Sequence, residues 1–297
     1  MSKIFFLLSF LFISQSFAQV CFNESALLQH VETLSSDSFE GRRTGTKGAI
    51  KAKKYIINQF YSLKVKPLRK TFEQSFYFSY KRKQYNAINV LGLIKGSTKS
   101  NKYIVISAHY DHEGIKKDII YNGADDNASG VSALFSFAEH FKKFPPKHSV
   151  ILAAFDAEEL GLQGSKYYVN NTVVPKKDIV ANINMDMISR SDKKELFAVG
   201  TAFNDKFKRI VEAYKPPYHK VKLKTGHDGY DSLDNWTYSS DHASFYKEDI
   251  PFLYFGVEDH EDYHEPTDDY KNIQPEFYKE AVKVIISVFK KIDNITF

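Results

Sequence analysis

Cysteine occurs once in the 297 residues, as Cys21. An intrachain disulfide is therefore excluded, and so is a metal site built on a cluster of thiolates. Any metal has to be held by His, Asp and Glu. Long apolar runs are also scarce: after residue 18 no stretch approaches the ~20 residues of a membrane helix, so no membrane span is expected. Repeats, low-complexity tracts and Pro/Gly/Ser-rich linkers are lacking, and the chain reads as one domain. A basic groove is lacking too. The formal charge is +5 and the pI about 8.9, but the basic residues are scattered, as at Lys51, Lys53, Lys54, Lys81, Arg82, Lys83, Lys290 and Lys291. These read as solvated faces, and no nucleic-acid partner is expected.

What is present begins with a leader. Lys3 precedes an apolar run over residues 4–13. A short polar stretch follows, with Ser16 and Ala18 at the spacing that signal peptidase prefers. This is the pattern of a secretory signal peptide spanning residues 1–18 and cleaved after Ala18. Residues 19–297 are then enough for one large α/β domain with its own core. The mature protein is expected to be exported, to a periplasm or the extracellular medium, and to be a monomer.

Apolar periodicity predicts helices over residues 23–34, 49–63, 129–144, 162–170, 203–214 and 275–292. It predicts strands over 71–80, 85–93, 103–108, 149–155, 179–185 and 252–257. Pro145 and Pro146 end the third helix. From residue 103 onward apolar strands alternate with helices. That implies an α/β fold with a mixed, mostly parallel sheet covered by helices on both faces. In such sheets ligands bind beyond the carboxyl ends of the strands.

The chemical residues gather at those ends. His109 and Asp111 lie in AHYDHEG, Asp125 and Asp126 in NGADDNASG, Glu158 and Glu159 in FDAEELGLQGS, Asp186 in NINMDM, and His264 in DYHEPTDD. Each alone reads as a cap or a solvated strand end. Together they converge on one rim, where crowded carboxylates would raise one another's pKa unless something positive sat among them. A pair of divalent cations resolves this. With His109, Asp126, Glu159, Asp186 and His264 as ligands, three carboxylates face two cations and leave room for a hydroxide. Nitrogen and oxygen donors without sulfur suit catalytic zinc, so two Zn2+ per chain are expected. Glu158 and Glu159 are adjacent, so their side chains diverge: one can ligate while the other stays free to carry a proton.

The ordered motifs HYD, GADDNASG, AEELGLQGS, MD, SDHASF and YH, with the loop GRRTGTKG ahead of them, resemble the M28 family of di-zinc aminopeptidases over residues 19–297. The resemblance implies a zinc-exopeptidase-like α/β/α sandwich and a substrate that is a peptide with a free N-terminus. It makes Asp126 the bridging carboxylate, because the family's residue stands three before the Ser of the ASG tail, here Ser129. It makes His109 and Asp186 non-bridging ligands of different zincs, with Glu159 and His264 in the same role on the two metals. Glu158 matches the general base. Asp111 matches the carboxylate that holds a ligand imidazole in its tautomer, and Tyr263 a tyrosine that hydrogen-bonds the oxyanion.

The remaining candidates read more plainly. His112 is a rival to His109 but lacks the HxD spacing. His30, His140, His148 and His219 have no acidic partner motif and read as surface or helix residues. Asp241 and His242 read as structural support. Residues 225–239, with Gly226, Gly229 and Trp236, form a long loop over the rim that either shapes a pocket or merely covers it. Glu158, Asp186 and Asp125 would receive a substrate ammonium. The competing functions are a single-zinc glutaminyl cyclase-like enzyme, a carboxypeptidase or dipeptidase, and a non-catalytic M28-like binding domain.

Overall fold

The computed structural model describes residues 20–215 and 220–297. The expected leader, residues 1–18, and His219 lie outside the described residues. In chain order the elements are α1 (Glu24–Leu34), α2 (Lys47–Ser62), β1 (Lys66–Pro67), β2 (Glu73–Tyr80), β3 (Lys83–Ile94), β4 (Lys99–His109), β5 (Gly114–Lys116), β6 (Ile119–Tyr121), α3 (Gly130–Lys143), β7 (His148–Phe155), α4 (Gln163–Asn170), β8 (Ile179–Met185), β9 (Glu195–Val199), α5 (Asp205–Ala213), β10 (Lys222–Thr225), α6 (His242–Tyr246), β11 (Phe252–Gly256) and α7 (Pro275–Ile292).

Period-two alternation in the apolar strands sorts their side chains into two cores. Ile104, Ile106 and Ala108 of β4 and Val150, Leu152 and Ala154 of β7 join one cluster, with Val31, Ile56, Leu134 and Ile285 from α1, α2, α3 and α7. Val105, Ile151, Ala153 and Phe155 point the other way and pack on Tyr168 of α4 and Phe245 of α6. The result is the expected single α/β domain with helices on both faces. The principal sheet runs β1-β3-β7-β4-β8-β11-β9-β10, with β2 paired to β3. Strands β7, β4, β8 and β11 are parallel, so Phe155, His109, Met185 and Gly256 all end on one rim. Strands β3 and β9 pair antiparallel to β7 and β11, which makes the sheet mixed.

Local signals place most boundaries. Asn23 and Thr46 cap α1 and α2 through the backbone N–H groups of Ala26 and Ala49. Helix α3 stops at Lys143, just ahead of Pro145. The helix expected over 203–214 starts later, at Asp205, because the Asn204 side chain accepts from the N–H groups of Lys206 and Phe207 at 3.1 Å each. Strands β9 and β10 were not expected. They are short, and only pairing identifies them: Val199 lies opposite Tyr254, and Lys222 beside Glu195.

His30 and His140 lie on α1 and α3, as expected of helix residues, whereas His148 opens β7 and is neither on a helix nor at the surface. His148 is buried, and its Nδ1 lies 2.8 Å from Oδ1 of Asp293, which follows α7. The acidic partner comes from 145 residues away, beyond the reach of any local motif. His30 packs edge-on against Phe135 with its Nδ1 2.6 Å from the Tyr55 hydroxyl. His140 is buried beside Phe141 and Phe144.

Burial lowers the His30 and His140 imidazoles to about 4 each. In the unfolded chain they take up protons near pH ~6.5, whereas the folded protein resists until about pH 4. The unfolded state therefore binds more protons in that window, and stability falls as the pH drops through it. The melting temperature should decline on acidification from about 6.5 to 4. The double variant His30→Gln/His140→Gln should show a shallower decline; an identical slope would refute this account.

Candidate metal centre and active site

Asp126 sits at the centre of the carboxyl rim. Its Oδ1 lies 3.3 Å from Nε2 of His109, and its Oδ2 lies 3.2 Å from Nε2 of His264. Asp186, one residue past β8, places Oδ1 3.2 Å from His109 Nε2. Glu159, in the turn after β7, places Oε2 3.5 Å from His264 Nε2. The five expected ligands are thus brought together as two triads that share Asp126, one oxygen to each side. His109 and Asp186, expected on different metals, fall in the same triad; Glu159 and His264 form the other. Strands β4 and β8 are sheet neighbours, so the residues that leave their ends stand side by side.

The donor set fits divalent cations. It offers nitrogen and oxygen only, and Glu159 Oε1 is buried and makes no well-aligned hydrogen bond, although His112 Nδ1 lies 2.9 Å from it. Burial would raise the Asp126 carboxyl, but the imidazoles of His112, His109 and His264 outweigh it and hold the group well below the carboxylate range. Burial opposes protonation of His264, yet Asp126 and Glu159 lift it to about 9. An imidazole must be without its proton to ligate, so metal binding at these histidines releases protons.

Glu158 is held apart from the triads. Burial pushes its carboxyl well above the usual range; His109 opposes the shift, and Asp186 and Asp241 reinforce it. A carboxyl tuned upward in a pocket is suited to exchanging protons near neutral pH. Three residues without the freedom of glycine adopt left-handed backbone here: Ala157 at φ 60°, Met187 at φ 54° and His264 at φ 55°. They are Glu158's predecessor, Asp186's successor and a triad member, and such backbone persists only where the surroundings over-determine it. Gly123, at φ 58°, is required because a Cβ there would lie 2.1 Å from the Asp126 carbonyl oxygen.

Asp111 acts differently from expectation. Its backbone carbonyl, not its carboxylate, meets His109 Nδ1, at 3.1 Å against 3.9 Å. The carboxylate instead accepts from the N–H groups of Glu158 and Glu159 at 3.0 and 3.3 Å, and from the Thr44 hydroxyl at 3.2 Å. It is satisfied by the turn that aims the two glutamates. Asp125 is likewise turned away from the pocket. Its carboxylate accepts from the Ser189 N–H and hydroxyl and faces His260 Nε2 at 3.0 Å.

Between the triads and the rim lies a pocket of about 190 Å³, lined by Glu158, Met187, Trp236, Tyr254, Val257 and Tyr263 with the triad residues. It is smaller than the roughly 300–1,000 Å³ of drug-sized clefts. Asp234, Asn235, Trp236 and Ser239 belong to its wall, so the loop over residues 225–239 shapes the pocket. Tyr263 stacks on His264 with ring centroids 4.0 Å apart, and burial keeps its phenol protonated. His242 stacks on Tyr254, and Asp241 is buried beneath the site, as structural support requires.

Local motif reading passed over three further residues. His112 is fully buried, with Nδ1 2.9 Å from Glu159 Oε1 and 3.6 Å from Asp126 Oδ2; its place in HYDHEG was the available signal. Asp268 accepts from the N–H groups of Asp125 and Asp126 at 2.8 and 3.0 Å. Arg42, in the GRRTG loop, is buried and donates to the carbonyl oxygens of Leu34, Tyr110, Asn122 and Gly123 at 2.6–2.9 Å. It ties the loop that carries His109 and Asp111 to the loop that carries Asp126.

The sequence profile of peptidase family M28 matches residues 89–289. The chain belongs to peptidase family M28. It is 30% identical to aminopeptidase YwaD of Bacillus subtilis (strain 168) over 202 residues, 65% of this chain and 42% of that protein. It is 26% identical to the alkaline phosphatase isozyme conversion protein of Escherichia coli (strain K12), over 56% of this chain and 50% of that one. The match thus spans half or less of these relatives' lengths. Its fold superposes on a leucine aminopeptidase precursor from Bacteroides thetaiotaomicron with TM-score 0.74 at 20% identity, covering 94% of this chain and 99% of that one. It superposes on a zinc aminopeptidase from Bacillus subtilis with TM-score 0.74 at 17% identity, covering 92% and 96%.

Arg42 generates a test. Lysine cannot reproduce the planar fork, and each buried carbonyl left unpaired costs about 1–3 kcal/mol. Arg42→Lys should lower the melting temperature by at least ~5 °C and weaken metal retention on dialysis. A variant as stable as the parent would show that the carbonyl clamp is dispensable.

Proposed function

We propose that this M28 chain is a two-zinc aminopeptidase that hydrolyses the N-terminal peptide bond of peptides. The observation that carries the reading is the division of Asp126: one oxygen serves each histidine–carboxylate triad. A single-zinc cyclase-like enzyme has no need for two such triads. The relatives named as aminopeptidases support the same reading, as does the intact Glu158, which speaks against a non-catalytic binding domain.

His109, Asp126 and Asp186 would hold one zinc, and Asp126, Glu159 and His264 the other. A bound zinc pair supplies Lewis acidity toward a water and toward the scissile carbonyl. Glu158 takes a proton from that water and delivers it to the departing amine. The Asp111 carboxylate, through the N–H groups of Glu158 and Glu159, keeps base and ligand on their separate courses. Tyr263, protonated, would donate to the developing oxyanion.

The small pocket admits one end of a chain. Its charge selects which end: Glu158, Asp186, Asp234 and Asp259 line it, and among the described residues neither Lys nor Arg does. A substrate ammonium is favoured there, and a C-terminal carboxylate has no counter-charge. We take the protein to work as an exported monomer, the export resting on the leader pattern of residues 1–18.

Four outcomes check this. A strong chelator should abolish hydrolysis of an aminoacyl anilide and zinc should restore it, with about two metals per active chain; full activity with one metal would favour the cyclase-like alternative. His264→Ala should lose more metal than His112→Ala. Glu158→Gln should keep its metals while kcat falls by at least about 10²–10⁴-fold, whereas Glu159→Gln should lose metal. An N-acetylated substrate should resist cleavage; equal rates on blocked and free substrates would leave a metallohydrolase but not an aminopeptidase.

A further inference from the structure

Six carboxylates line the pocket: Asp126, Glu158, Glu159, Asp186, Asp234 and Asp259. Two zinc ions and the α-ammonium of a substrate would bring five positive charges, with the ligating imidazoles neutral. One negative charge is left over, and among the described residues no Lys or Arg lines the pocket to meet it. Asp234 and Asp259 line the pocket and are nevertheless exposed, so they stand at its mouth. The Asp259 carboxylate accepts no hydrogen bond and forms no ion pair among the described residues. Burial raises its carboxyl above the usual range; Asp234 and Glu258 add to the shift, and His260 and His264 oppose it. A further cation at the mouth would relieve that repulsion.

Behind the mouth the wall is apolar. Met187, Trp236 and Val257 line the same pocket and are buried. An unbranched side chain with a cationic tip matches that gradient, because lysine and arginine lay their stems along apolar surface and keep the charged head in water. We infer that the pocket selects peptides whose N-terminal residue is lysine or arginine, with Asp259 as the specificity-determining carboxylate.

Asp259 is singled out because the acids around it are committed elsewhere. Asp234 is engaged at both oxygens: His227 Nδ1 lies 3.0 Å from Oδ1, and Trp236 Nε1 donates to Oδ2 at 2.6 Å. It adds charge beside Asp259 while holding the Trp236 wall in place. Glu258 faces His227 Nε2 at 3.3 Å and is not part of the pocket wall. An amide at position 259 would keep the shape of the mouth and remove the one carboxylate free to meet a substrate cation. Selection of the side chain rests on the aminopeptidase reading of the Asp126 centre for its reaction, but charge selection is a property of binding, so affinity has to be measured apart from turnover.

Lysyl and norleucyl anilides test it on the zinc-loaded chain, since norleucine has the same unbranched stem without the ammonium. Both carry the α-ammonium, so their ratio isolates the side chain. The lysyl substrate should exceed the norleucyl one in kcat/KM by about tenfold at low salt, and the ratio should shrink as salt is raised. Asp259→Asn should bring the ratio close to one; Asp259 is exposed, so the variant should keep the parent's circular dichroism. Calorimetry on zinc-loaded Glu158→Gln should show the same preference in affinity for lysyl-alanine over norleucyl-alanine, lost in Glu158→Gln/Asp259→Asn. Equal rates and equal affinities for the two side chains would overturn the basic preference and leave the aminopeptidase standing. A lysyl preference that survives Asp259→Asn would overturn the role of Asp259. Tighter binding of the lysyl peptide with neither anilide cleaved would sink the aminopeptidase reading and keep the cation-selective pocket.

Discussion

Crowding of negative charge at one rim is the constraint on which the rest of this structure depends. Asp126, Asp186, Glu158 and Glu159 line a single small pocket, and their mutual repulsion must be offset for the rim to exist at all. The protein does this in layers. Imidazoles of His109, His112 and His264 surround Asp126. Backbone N–H groups satisfy Asp111 and Asp268. A buried guanidinium, Arg42, adds positive charge behind Asp126 without forming an ion pair among the described residues; its donors go to carbonyl oxygens. That arrangement leaves the carboxylate oxygens of the triads free for metal.

The fold supplies the rigidity that such a rim requires. Four parallel strands end at the same level, and their period-two side chains are locked in two cores. Under the site, Ser107 donates to Asn184, and Asn182 and Asn184 donate to the hydroxyls of Ser107 and Ser240. This buried polar ladder sits between β4, β8 and the segment leading to Asp241, and it sets the spacing of the strands that carry His109 and Asp186. Buried polar networks of this kind favour one arrangement, because a slip leaves further buried groups unsatisfied.

Division of labour between neighbours recurs throughout the site. Glu159 joins a triad while Glu158 stays free, and Asp126 faces two imidazoles while Asp125 turns back to Ser189 and His260. In the aspartate pair one carboxylate joins the triads and the other anchors the loop; in the glutamate pair one joins a triad and the other is held apart from it. Left-handed backbone at Ala157, Met187 and His264 is part of the same economy of space: it reverses side-chain direction within one residue. The loop that carries Trp236 completes the pocket from outside the sheet.

The α/β class, the parallel strands and the members of the two triads were legible because each rests on a local pattern. Apolar runs mark strands buried on both faces, and HYD, ADDNASG and AEELG place chemical residues just beyond them. What the triads pair with what was decided by strand order, which no spacing reports: β4 lies beside β8, so His109 meets Asp186. The same holds for contacts between distant segments. His148 finds Asp293, Arg42 reaches the carbonyl oxygens around Asp126, and Asp111 turns its carboxylate to the Glu158 turn instead of to His109. Strands β9 and β10 exist through pairing and not through periodicity. Residue types and their neighbours along the chain determined which atoms could bind metal and move protons. Only tertiary packing decided their partners, because a hydrogen bond or an ion pair depends on distance in space, and the sheet sets that distance.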